Sequence, residues 1–437
     1  MAFAKGAVAS RAINSRRVMT PAYRRCPAGS LENAVGTIAI VATVTFDQAR
    51  RSVIAQVTAS QPTPAAEEVA LLESAGRVLA EGIAADRDYP PVARSVRDGF
   101  AIRAAEVPGD LRVIGEVRAG ESFAGEMQAG EAVEIMTGAP VPRGADAVVM
   151  IEHVQVTGDR VGVPRTLERG ENISAQGCEA RRDEMLLEPG RRLGFAEIAL
   201  LATVGRPRVR VLRRPEVAIL ATGDEIVQVD QTPLDYQIRN SNAQALAVQV
   251  MRAGGCPRVL PVAPDLYDGT RELIEQGLRS DLLLLSGGVS AGKYDLVERV
   301  LADLGAEFFF DRVLIQPGQP LVFGKALGKF FFGLPGNPAS TMVTFEIFGR
   351  AAVELLSGQA EPMLPLPWSK LTRDFRQKTG LTRFLPASLS LDGSEVTPFS
   401  WQGSGDVPAL ARANAFLVTE PDRENWSAGE LIRVLMK

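Results

Sequence analysis

Three acidic residues follow short apolar runs, and their oxygen atoms could bind a hard cation. Glu225 comes soon after the run 217–220, Asp265 follows the run 259–262, and Asp295 ends a glycine-rich segment. Carboxylate oxygens are the ligands that Mg²⁺ prefers in proteins. The spacing therefore predicts separate loops that each bring one carboxylate to a shared cation.

Two glycine-rich turns could bind an anion through their backbone amides. Ser286-Gly-Gly-Val-Ser290 follows one apolar run, and Leu334-Pro-Gly-Asn-Pro338 ends another. Closely spaced glycines let backbone N–H groups approach a phosphate where a helix begins. The chain has neither a Gly-x-x-x-x-Gly-Lys-Ser/Thr loop nor a Gly-x-Gly-x-x-Gly fingerprint, which disfavours an ordinary P-loop or dinucleotide site. The acids and turns together indicate a phosphate-bearing ligand with a bridging Mg²⁺.

The histidine and cysteine content excludes several kinds of catalytic site. His153 is the only histidine, and Cys26, Cys178 and Cys256 show no Cys-x-x-Cys spacing. Histidine-ligated zinc sites and histidine-activated nucleophiles need a placed imidazole, and we interpret His153, beside Glu152, as an incidental residue at a strand end. Odd, widely spaced cysteines favour a reducing cytoplasm over a disulfide framework. Catalysis must therefore use carboxylates, hydroxyls, backbone amides, lysine or arginine.

The strands that carry these loops alternate with helical segments between about residues 215 and 358. The apolar runs lie at 217–221, 259–262, 281–285 and 330–334. Such alternation predicts a doubly wound α/β domain, with a parallel sheet and helices on both faces. Ligands of these sheets bind outside the carboxyl ends of the strands, where the acids and the glycine turns fall.

The chain of 437 residues is long enough for further domains. Residues 90–190 read as short strands separated by glycine and proline, and the pattern is β again after a proline-rich linker at 361–367. An apolar stripe predicts a first helix that ends near residue 61, and a second helix is predicted at 65–79. Residues 1–43, rich in arginine and poor in acids, are predicted to be a disordered extension. The stripe of the first helix consists of Phe46, Ala49, Val53 and Val57.

Composition excludes two classes of partner. The chain carries 48 basic and 52 acidic residues, so it lacks the basic field of a general nucleic-acid binder. No apolar run approaches the roughly 18 residues that cross a bilayer, which excludes a membrane-spanning protein. We therefore expect a small-molecule ligand.

Four motifs together resemble the molybdopterin molybdenumtransferase family, which includes MoeA and the E-domain of gephyrin. The resemblance covers residues 44–437, and these uncommon motifs occur in the family's order and spacing. The motifs are Ser95-Val-Arg-Asp-Gly-Phe-Ala101, Ile135-Met-Thr-Gly-Ala-Pro-Val-Pro142 with Gly144-Ala-Asp-Ala147, Ser286-Gly-Gly-Val-Ser-Ala-Gly-Lys-Tyr-Asp295, and Leu334-Pro-Gly-Asn-Pro338.

The resemblance implies a homodimer of four-part subunits. An elongated helical and β lead domain, discontinuous over 44–91 and 177–214, would serve dimerisation. A β-rich domain would be inserted at 92–176, the molybdopterin-binding α/β domain would occupy 215–358, and a β-barrel-like domain would occupy 359–437. The substrate cleft would lie between the α/β domain of one subunit and the β-rich domain of the other.

The resemblance also implies a reaction. Molybdate would be inserted into adenylylated molybdopterin with release of AMP, and Mg²⁺ would be required. Molybdopterin adenylyltransferase is the implied partner protein, and the cytoplasm is the expected location.

Individual residues take roles from the same resemblance. Asp98 and Thr137 would act from the β-rich domain, whereas Glu225, Asp265 and Asp295 would take part in catalysis and hold Mg²⁺. Arg383 and Ser404 would bind an oxyanion, because a guanidinium group presents a fork of donors to a tetrahedral anion. The substrate-binding set implied is Ser286, Gly287, Gly288, Ser290, Pro335, Gly336, Asn337, Arg383 and Ser404.

The sequence departs from the family at several positions. Many members read Lys-Pro-Gly-Lys-Pro where this chain has Gln316-Pro-Gly-Gln-Pro320, which removes two positive charges near the expected anion site. The usual Gly-Glu-Asp reads Gly177-Cys-Glu179, and Lys293 replaces an acid. Lys293 either compensates for a lost lysine or is simply solvated. Electrostatic capture of molybdate is the step that these changes weaken.

Two functions from different classes remain open on the sequence. An active molybdenumtransferase would need the intact set of acids, whereas a non-catalytic cofactor-binding protein or scaffold could tolerate the lost lysines. A molybdopterin adenylyltransferase would need only the α/β domain, so the length of the chain disfavours it. The enzyme is the interpretation that the acids favour.

Overall fold

The structure, a computed structural model, describes residues 43–60, 64–288 and 296–437. The predicted extension lies outside these ranges except for Thr43, and so do Ser290, Lys293 and Asp295. Within the described ranges, no helix is both long and apolar enough to cross a membrane.

The α/β domain is built on a seven-stranded sheet. Its four strands at one side are parallel, and they include the predicted strand near 259, which lies earlier, at Cys256–Val259. The four predicted strands are therefore parallel to one another, as expected, whereas Pro320–Ala326, which was not predicted, runs antiparallel to both of its neighbours and makes the whole sheet mixed. A tight hairpin connects Pro320–Ala326 to the next strand, and hairpins join antiparallel strands. The strand order is Thr43–Val44, Glu307–Val313, Pro320–Ala326, Lys329–Leu334, Leu282–Ser286, Glu216–Ala221 and Cys256–Val259.

Helices cover both faces of this sheet, as predicted. Leu282 and Leu284 pack in one core, whereas Leu283 and Leu285 pack in the other, because successive strand residues point to opposite faces. The helices that pack on the second core are Tyr267–Gly277 and Leu296–Asp303. The helices on the first core are Phe46–Ser60, Ser241–Ala253, and Pro338–Thr344 continued by a π-helical turn, Phe345–Gly349, into Arg350–Leu356.

Residues 43–60 belong to the α/β domain, not to the lead domain as predicted. Strand Thr43–Val44 pairs with Glu307–Val313, and Val53 and Val57 of the following helix are fully buried in the core. The helix itself was predicted correctly from its apolar stripe. Its packing partner lies almost 300 residues later in the chain, which a local pattern does not indicate.

The lead domain consists of two short sheets and a helix. The predicted helix at 65–79 is wrong, because residues 66–70 form a strand that pairs antiparallel with Arg208–Leu212. Helix-forming residues such as Glu67 and Glu68 adopt a strand here since tertiary pairing overrides weak local propensity. The elements are Ala66–Ala70, the 3₁₀ turn Leu71–Ser74, Ile83–Ala84, Met185–Leu187, helix Phe195–Thr203 and Arg208–Leu212.

The β-rich domain contains a six-stranded sheet with an apolar core on each face. A short ribbon, Arg94–Ser95 with Ile173–Ser174, lies where the chain enters and leaves the domain. His153 ends a 3₁₀ turn, Ile151–His153, after the strand Ala147–Met150. The strand order is Ala147–Met150, Gly99–Ile102, Glu131–Ile135, Gly109–Val117, Arg160–Val163 and Gln155–Thr157, with a second 3₁₀ turn at Ala104–Glu106.

The C-terminal domain is a closed five-stranded barrel. Pairing of Thr382–Leu389 with Ala415–Thr419 closes the ring. Ile315–Gln316, from the α/β domain, adds a parallel strand beside Thr382 and Arg383. The barrel strands are Thr382–Leu389, Glu395–Pro398, Trp368–Leu371, Leu431–Met436 and Ala415–Thr419; Phe375–Arg376 pairs with Asn425–Trp426, and a short helix spans Val407–Arg412.

Candidate functional site

The two glycine turns contact each other at the carboxyl edge of the sheet. The Gly287 amide donates to the Leu334 carbonyl at 3.2 Å, and a side chain on Gly336 would begin 3.7 Å from the Cα of Gly287. Strands Leu282–Ser286 and Lys329–Leu334 are adjacent and parallel, so their ends meet. The turns predicted separately therefore form one surface. Ser290, predicted to bind substrate, lies outside the described residues.

Asn242 joins the two turns, and sequence reasoning missed it. Its Nδ2 donates to the Ser286 hydroxyl at 2.9 Å and to the Gly336 carbonyl at 2.7 Å. The side chain is buried, and its Oδ1 has no hydrogen-bond partner among the described residues. Asn240 caps the same helix by accepting from the Ala243 amide at 3.1 Å. The Asn-Ser-Asn run at a helix start was the available signal, although it indicates only a cap.

The backbone of the first turn requires glycine. Gly288 has φ +65°, and a Cβ there would lie 2.8 Å from both the Thr222 hydroxyl and a Val297 methyl. A β-carbon would be strained by the left-handed conformation and would also clash. Thr222 is buried beneath the turn, so the strand end at 221 and the turn at 287 support each other.

The second turn is fixed from beneath by Thr341. The hydroxyl of this fully buried residue donates to the Pro335 carbonyl at 2.5 Å and lies 3.1 Å from the Asn337 carbonyl. Pro335 is buried, whereas Gly336 and Asn337 are exposed at the tip. Two of the three predicted substrate-binding residues of this turn therefore face solvent on a rigid base, whereas Pro335 belongs to that base.

The structure brings the loops of Glu225 and Asp265 together. The Asp265 amide donates to the Asp224 carboxylate at 3.1 Å, and the Thr222 and Ala263 backbones pair just before these loops. Both predicted acids are exposed at the carboxyl edge. Within the described ranges, no three His, Cys, Asp or Glu side chains converge on one point. Asp295, the third predicted acid, lies outside those ranges.

Arg383 offers a buried positive charge near the predicted anion site. Its side chain is only 6% exposed, and Nε and Nη2 both donate to the Lys378 carbonyl, at 3.3 and 2.9 Å. Burial lowers the pKa of the guanidinium. Among the described residues, no carboxylate lies within 4.0 Å of it. Gln316 lies directly beside Arg383 in the parallel pairing.

Ser404 lies in a loop that contacts the start of helix Pro338–Thr344. The Ala339 amide donates to the Ser404 carbonyl at 2.9 Å, which ties the barrel to the second glycine turn. Asp406 organises this loop, since its carboxylate accepts from the Gln402 amide at 3.0 Å and the Ala409 amide at 2.9 Å. These bonds lower the pKa of Asp406. Sequence reasoning missed Asp406 as a positioning residue, although an aspartate before Val-Pro is a typical helix cap.

Asp98 and Thr137 form a hydrogen-bonded pair on the β-rich domain. One Asp98 oxygen accepts from the Thr137 amide at 2.6 Å and from its hydroxyl at 2.8 Å. The backbone bond first and the hydroxyl bond second hold the pKa of Asp98 below its usual value. Within the described residues, no hydrogen bond or ion pair joins this pair to Glu225 or Asp265. One chain therefore presents two separate groups of predicted site residues.

Three family descriptions match successive parts of the chain. Residues 44–205 match the MoeA N-terminal region (domains I and II), residues 218–355 match a probable molybdopterin binding domain, and residues 369–436 match the MoeA C-terminal region (domain IV). A molybdopterin molybdenumtransferase from Bacillus subtilis is 35% identical over 384 residues, which cover 85% of this chain and 89% of the relative. One from Staphylococcus aureus is 32% identical over 396 residues, covering 88% and 94%.

Solved structures give the same result for the fold. A molybdopterin biosynthesis MoeA protein from Pyrococcus horikoshii aligns with a TM-score of 0.77 at 28% identity, over 91% of this chain and 100% of its own. A second structure of a MoeA protein from that organism aligns with a TM-score of 0.71 at 31% identity, over 90% and 99%. With all parts matched in order, the chain belongs to the molybdopterin molybdenumtransferase family, whose members are transferases of molybdenum cofactor biosynthesis.

Proposed function

We propose that this protein inserts molybdate into adenylylated molybdopterin and releases AMP. The observation that carries the proposal is the contact between the two glycine turns beside the acidic loops. One edge of the sheet thereby offers backbone amides to a phosphate and carboxylates to a cation, which suits a phosphoanhydride. The matched relatives are molybdopterin molybdenumtransferases, which supports the same reaction.

In the proposed site, the turns bind the pterin phosphate. Ser286, Gly287 and Gly288 would form one side, and Pro335, Gly336 and Asn337 would form the other; Ser290, outside the described residues, stays a predicted member of the first side. Asn242 holds both turns at a fixed separation through its two hydrogen bonds. Catalysis would consist mainly of positioning and charge neutralisation, since no side chain here needs to form a covalent bond.

The proposed Mg²⁺ ligands are Glu225, Asp265 and Asp295. Exposed carboxylates on adjacent loops fit this cation, and Asp224, bonded to the Asp265 amide, adds further oxygens. Bound Mg²⁺ would neutralise charge on the phosphoanhydride oxygens.

An Asp265→Asn variant tests this set of ligands. We expect AMP release to fall by about a hundredfold or more, the scale of a preorganised electrostatic group, and pterin phosphate binding to persist. Asp230→Asn, at an exposed acid of the same domain, is the control. Equal turnover in both variants at saturating Mg²⁺ would remove Asp265 from the set; Asp295→Asn is tested in the same way.

Molybdate would bind at Arg383 and Ser404. A buried guanidinium with no carboxylate partner among the described residues supports an anion there, because an isolated buried charge is costly. Gln316 and Gln319 would supply neutral hydrogen-bond donors where lysines are usual. Compared with a pocket that contains the two lysines, this one would keep its hydrogen bonds to molybdate and lose the long-range electrostatic attraction.

A homodimer would complete the site. Asp98 and Thr137 would act on substrate held by the second copy, since within the described part of one chain nothing links them to the acids. An apolar surface on the lead domain supports such a contact, because Leu72 is 81% exposed and Phe195 is 94% exposed. Phe195→Glu should yield monomers in light scattering and lower turnover; an unchanged dimer would exclude this surface as the interface.

We propose the cytoplasm as the location and a molybdopterin adenylyltransferase as the supplier of substrate. The decisive assay combines purified protein, adenylylated molybdopterin, Mg²⁺ and molybdate, and measures AMP release together with reconstitution of a cofactor-free molybdoenzyme. Turnover in both readouts supports the enzyme. Binding of substrate without AMP release would instead leave the cofactor-binding or scaffold function.

A further inference from the structure

An exposed leucine lies at the edge of the seven-stranded sheet opposite the glycine turns and the acidic loops, where the parallel strands begin. Leu327 and Gly328 form the turn between the strand that ends at Ala326 and the strand that begins at Lys329. Leu327 is 62% exposed, whereas Ala326 is buried. Leu327 thus presents a large apolar side chain to solvent, away from the proposed reaction site.

The backbone of this turn does not favour leucine. Leu327 has φ +48° and Gly328 has φ +78°. A two-residue hairpin turn with both φ angles positive is of type I′, in which asparagine, aspartate and glycine are usual. Leucine is strained there, because its β-carbon crowds the backbone in the left-handed conformation. Among the other described residues, only Asn172 and Asp183 combine a side chain with a positive φ. Since Leu327 is exposed, packing does not explain it, and a strained residue without a packing role points to a function.

Basic side chains lie along the same edge. The strands that begin at Lys329, Leu282 and Glu216 are consecutive neighbours in the sheet, and adjacent strands lie about 4.8 Å apart. Charged residues at the starts of these strands, and on the segments beside them, therefore share one surface, which we call the amino-edge surface. Its basic residues are Arg213, Arg214, Arg258, Arg279, Lys325 and Lys329, and its acidic residues are Glu216, Asp281 and Glu307.

The acidic residues do not neutralise the amino-edge surface. The Asp281 carboxylate pairs with Arg213 at 2.9 Å and with Lys329 at 3.4 Å. The Glu216 carboxylate pairs with Arg258 at 3.4 Å. Six basic residues against three acidic ones leave an excess of positive charge, although the whole chain has a net charge of −4. The surface therefore has the opposite sign to the molecule, which favours an acidic ligand.

Arg214 and Arg279 are free to bind such a ligand. Both residues are exposed, and neither guanidinium forms a hydrogen bond or ion pair with another described residue. Lys325 has no carboxylate within 4.0 Å in the described part of the chain, and its ammonium group lies over the Phe330 ring, 5.4 Å from the centroid. These three cations therefore keep their charge available to a ligand.

We propose that the amino-edge surface binds an acidic peptide segment of another protein, with an apolar side chain of that segment packed against Leu327. Carboxylates of the segment would pair with Arg214 and Arg279. An apolar anchor beside arginines is typical of the energetic centre of a protein–protein interface. Asp281 and Glu216 would repel the closely spaced phosphates of a nucleic acid, so separated carboxylates fit better. Because the surface lies at the opposite edge of the sheet, the inference does not rest on the proposed function.

Fluorescence anisotropy measures this binding, with the full chain titrated into a labelled, short, glutamate-rich peptide that has one central phenylalanine. In Leu327→Asn, we expect the dissociation constant to rise about tenfold or more, because the apolar contact is lost. The melting temperature should stay equal or rise, because asparagine tolerates a positive φ. Leu391→Asn is the matched control, since Leu391 is exposed in another turn without a positive φ. It should leave the dissociation constant unchanged.

Arg214→Gln with Arg279→Gln tests the charge of the surface. The dissociation constant of the same peptide should rise about threefold or more, since two exposed charge pairs are lost. Its dependence on salt should also become weaker. Arg51→Gln with Arg143→Gln removes the same charge from exposed positions on the first helix and the β-rich domain, so it should leave the binding unchanged.

The inference is overturned if the wild-type protein does not bind the peptide, or if neither Leu327→Asn nor the double arginine variant weakens binding. It is equally overturned if a peptide with serine in place of the phenylalanine binds as tightly, since Leu327 would then be irrelevant. A peptide with lysines in place of the glutamates should bind about tenfold more weakly or not at all. A DNA duplex or phosphatidylglycerol vesicles that bind more tightly than the peptide, and lose affinity in the double variant, would assign the surface to another class of partner and refute the peptide.

Discussion

At the scale of single residues, the hydrogen bonds from Thr137 keep the Asp98 carboxylate ionised. Hydrogen bonds from the Thr137 amide and hydroxyl favour the ionised carboxylate and lower its pKa. A carboxyl whose pKa is lowered in the folded state stabilises the fold above its unfolded pKa. That stabilisation is lost as the pH falls through the lowered folded value. Asp98 is therefore ionised at neutral pH.

A Thr137→Val variant tests this pair. It removes the hydroxyl donor and keeps the amide donor, so the pKa of Asp98 should rise part of the way toward its usual value. Carbon-13 NMR of the carboxyl group measures that shift, and the acid limb of AMP release should move to higher pH with it. Thr157→Val, at an exposed threonine of the same domain, is the control. An unshifted Asp98 titration would show that the hydroxyl contributes nothing.

Gln316 and Gln319 allow a second prediction at the scale of single residues. In Gln316→Lys with Gln319→Lys, added charge beside Arg383 should lower the molybdate concentration for half-maximal activity by about tenfold or more. The same concentration should become more sensitive to salt, while the maximal rate changes little.

The matched control for the glutamines adds two lysines on the β-rich domain, Gln128→Lys with Gln155→Lys, both exposed. Charge would be irrelevant to molybdate binding if the double variant at 316 and 319 kept the wild-type dependence while Lys293→Ala also left it unchanged.

Sequence reasoning found the residues whose chemistry is visible in their type. Glu225, Asp265 and the glycine turns follow strands, and strand ends meet in a parallel sheet, so their neighbourhood was predictable. Asn242 and Asp406 were missed because their roles depend on specific hydrogen bonds. The Asn242 bonds reach residues 44 and 94 positions away.

At the scale of elements, one strand position controls the loop that carries Asp98. Gly99 lies between two neighbouring strands, and a Cβ there would be 1.9 Å from the Val149 carbonyl oxygen. The backbone atoms that it would meet, at Val149 and Ile151, cannot move away without breaking the sheet. The strand that positions Asp98 therefore has no room for a side chain.

Gly99→Ala should destabilise the β-rich domain severely, by about 4 kcal/mol or more, because overpacking against backbone cannot relax. Chemical denaturation measures the loss. Gly405→Ala is the matched control, since a Cβ there would meet nothing within 4 Å and its φ is not positive. Equal stability of the two variants would contradict the expected clash.

The strand at 66–70 was missed because local sequence patterns do not reveal long-range strand pairing. Its residues favour a helix locally, yet Arg208 bonds to Glu68 across 140 positions of sequence, and the strands pair in full. The first helix, in contrast, was predicted because its apolar stripe is a local property. Pairing with a distant segment produces no comparable pattern in the local sequence.

At the scale of the whole molecule, Arg50 joins three distant parts of the chain. Its Nη1 donates to the Ile347 carbonyl in the π-helical turn at 2.8 Å, and its Nη2 donates to the Pro362 carbonyl in the linker at 3.0 Å. A π-helical turn leaves backbone carbonyls without their usual helical partners. Arg50 therefore satisfies one carbonyl of the turn and holds the linker against the α/β domain.

Arg50→Met should keep the apolar stem and remove both donors, which we expect to cost about 1–3 kcal/mol of unfolding free energy. Denaturant titration measures it. Arg51→Met, at the exposed neighbouring position, should change stability by less than about 0.5 kcal/mol. A similar loss in both variants would assign the effect to helix propensity or net charge.

The order of the domains could be predicted from the residue patterns along the chain. The domain to which residues 43–60 belong could not. The sequence shows three successive patterns of apolar and turn-forming residues. They correspond to a region of short strands, a region of alternating strands and helices, and a final β region. The helix at 46–60 belongs with the α/β domain only through packing, where Ala49, Val53 and Val57 are fully buried.

The first helix and the segments that it packs against lie far apart in the sequence, so the ribosome synthesises them at different times. Arg50 emerges 297 residues before its partner Ile347, which at roughly 5–20 residues per second is a delay of about 15 to 60 s. The β-rich domain is contiguous and can fold in that interval. The apolar side of the first helix meanwhile remains accessible to chaperones. The α/β domain, though it begins first, is completed only as translation nears its end.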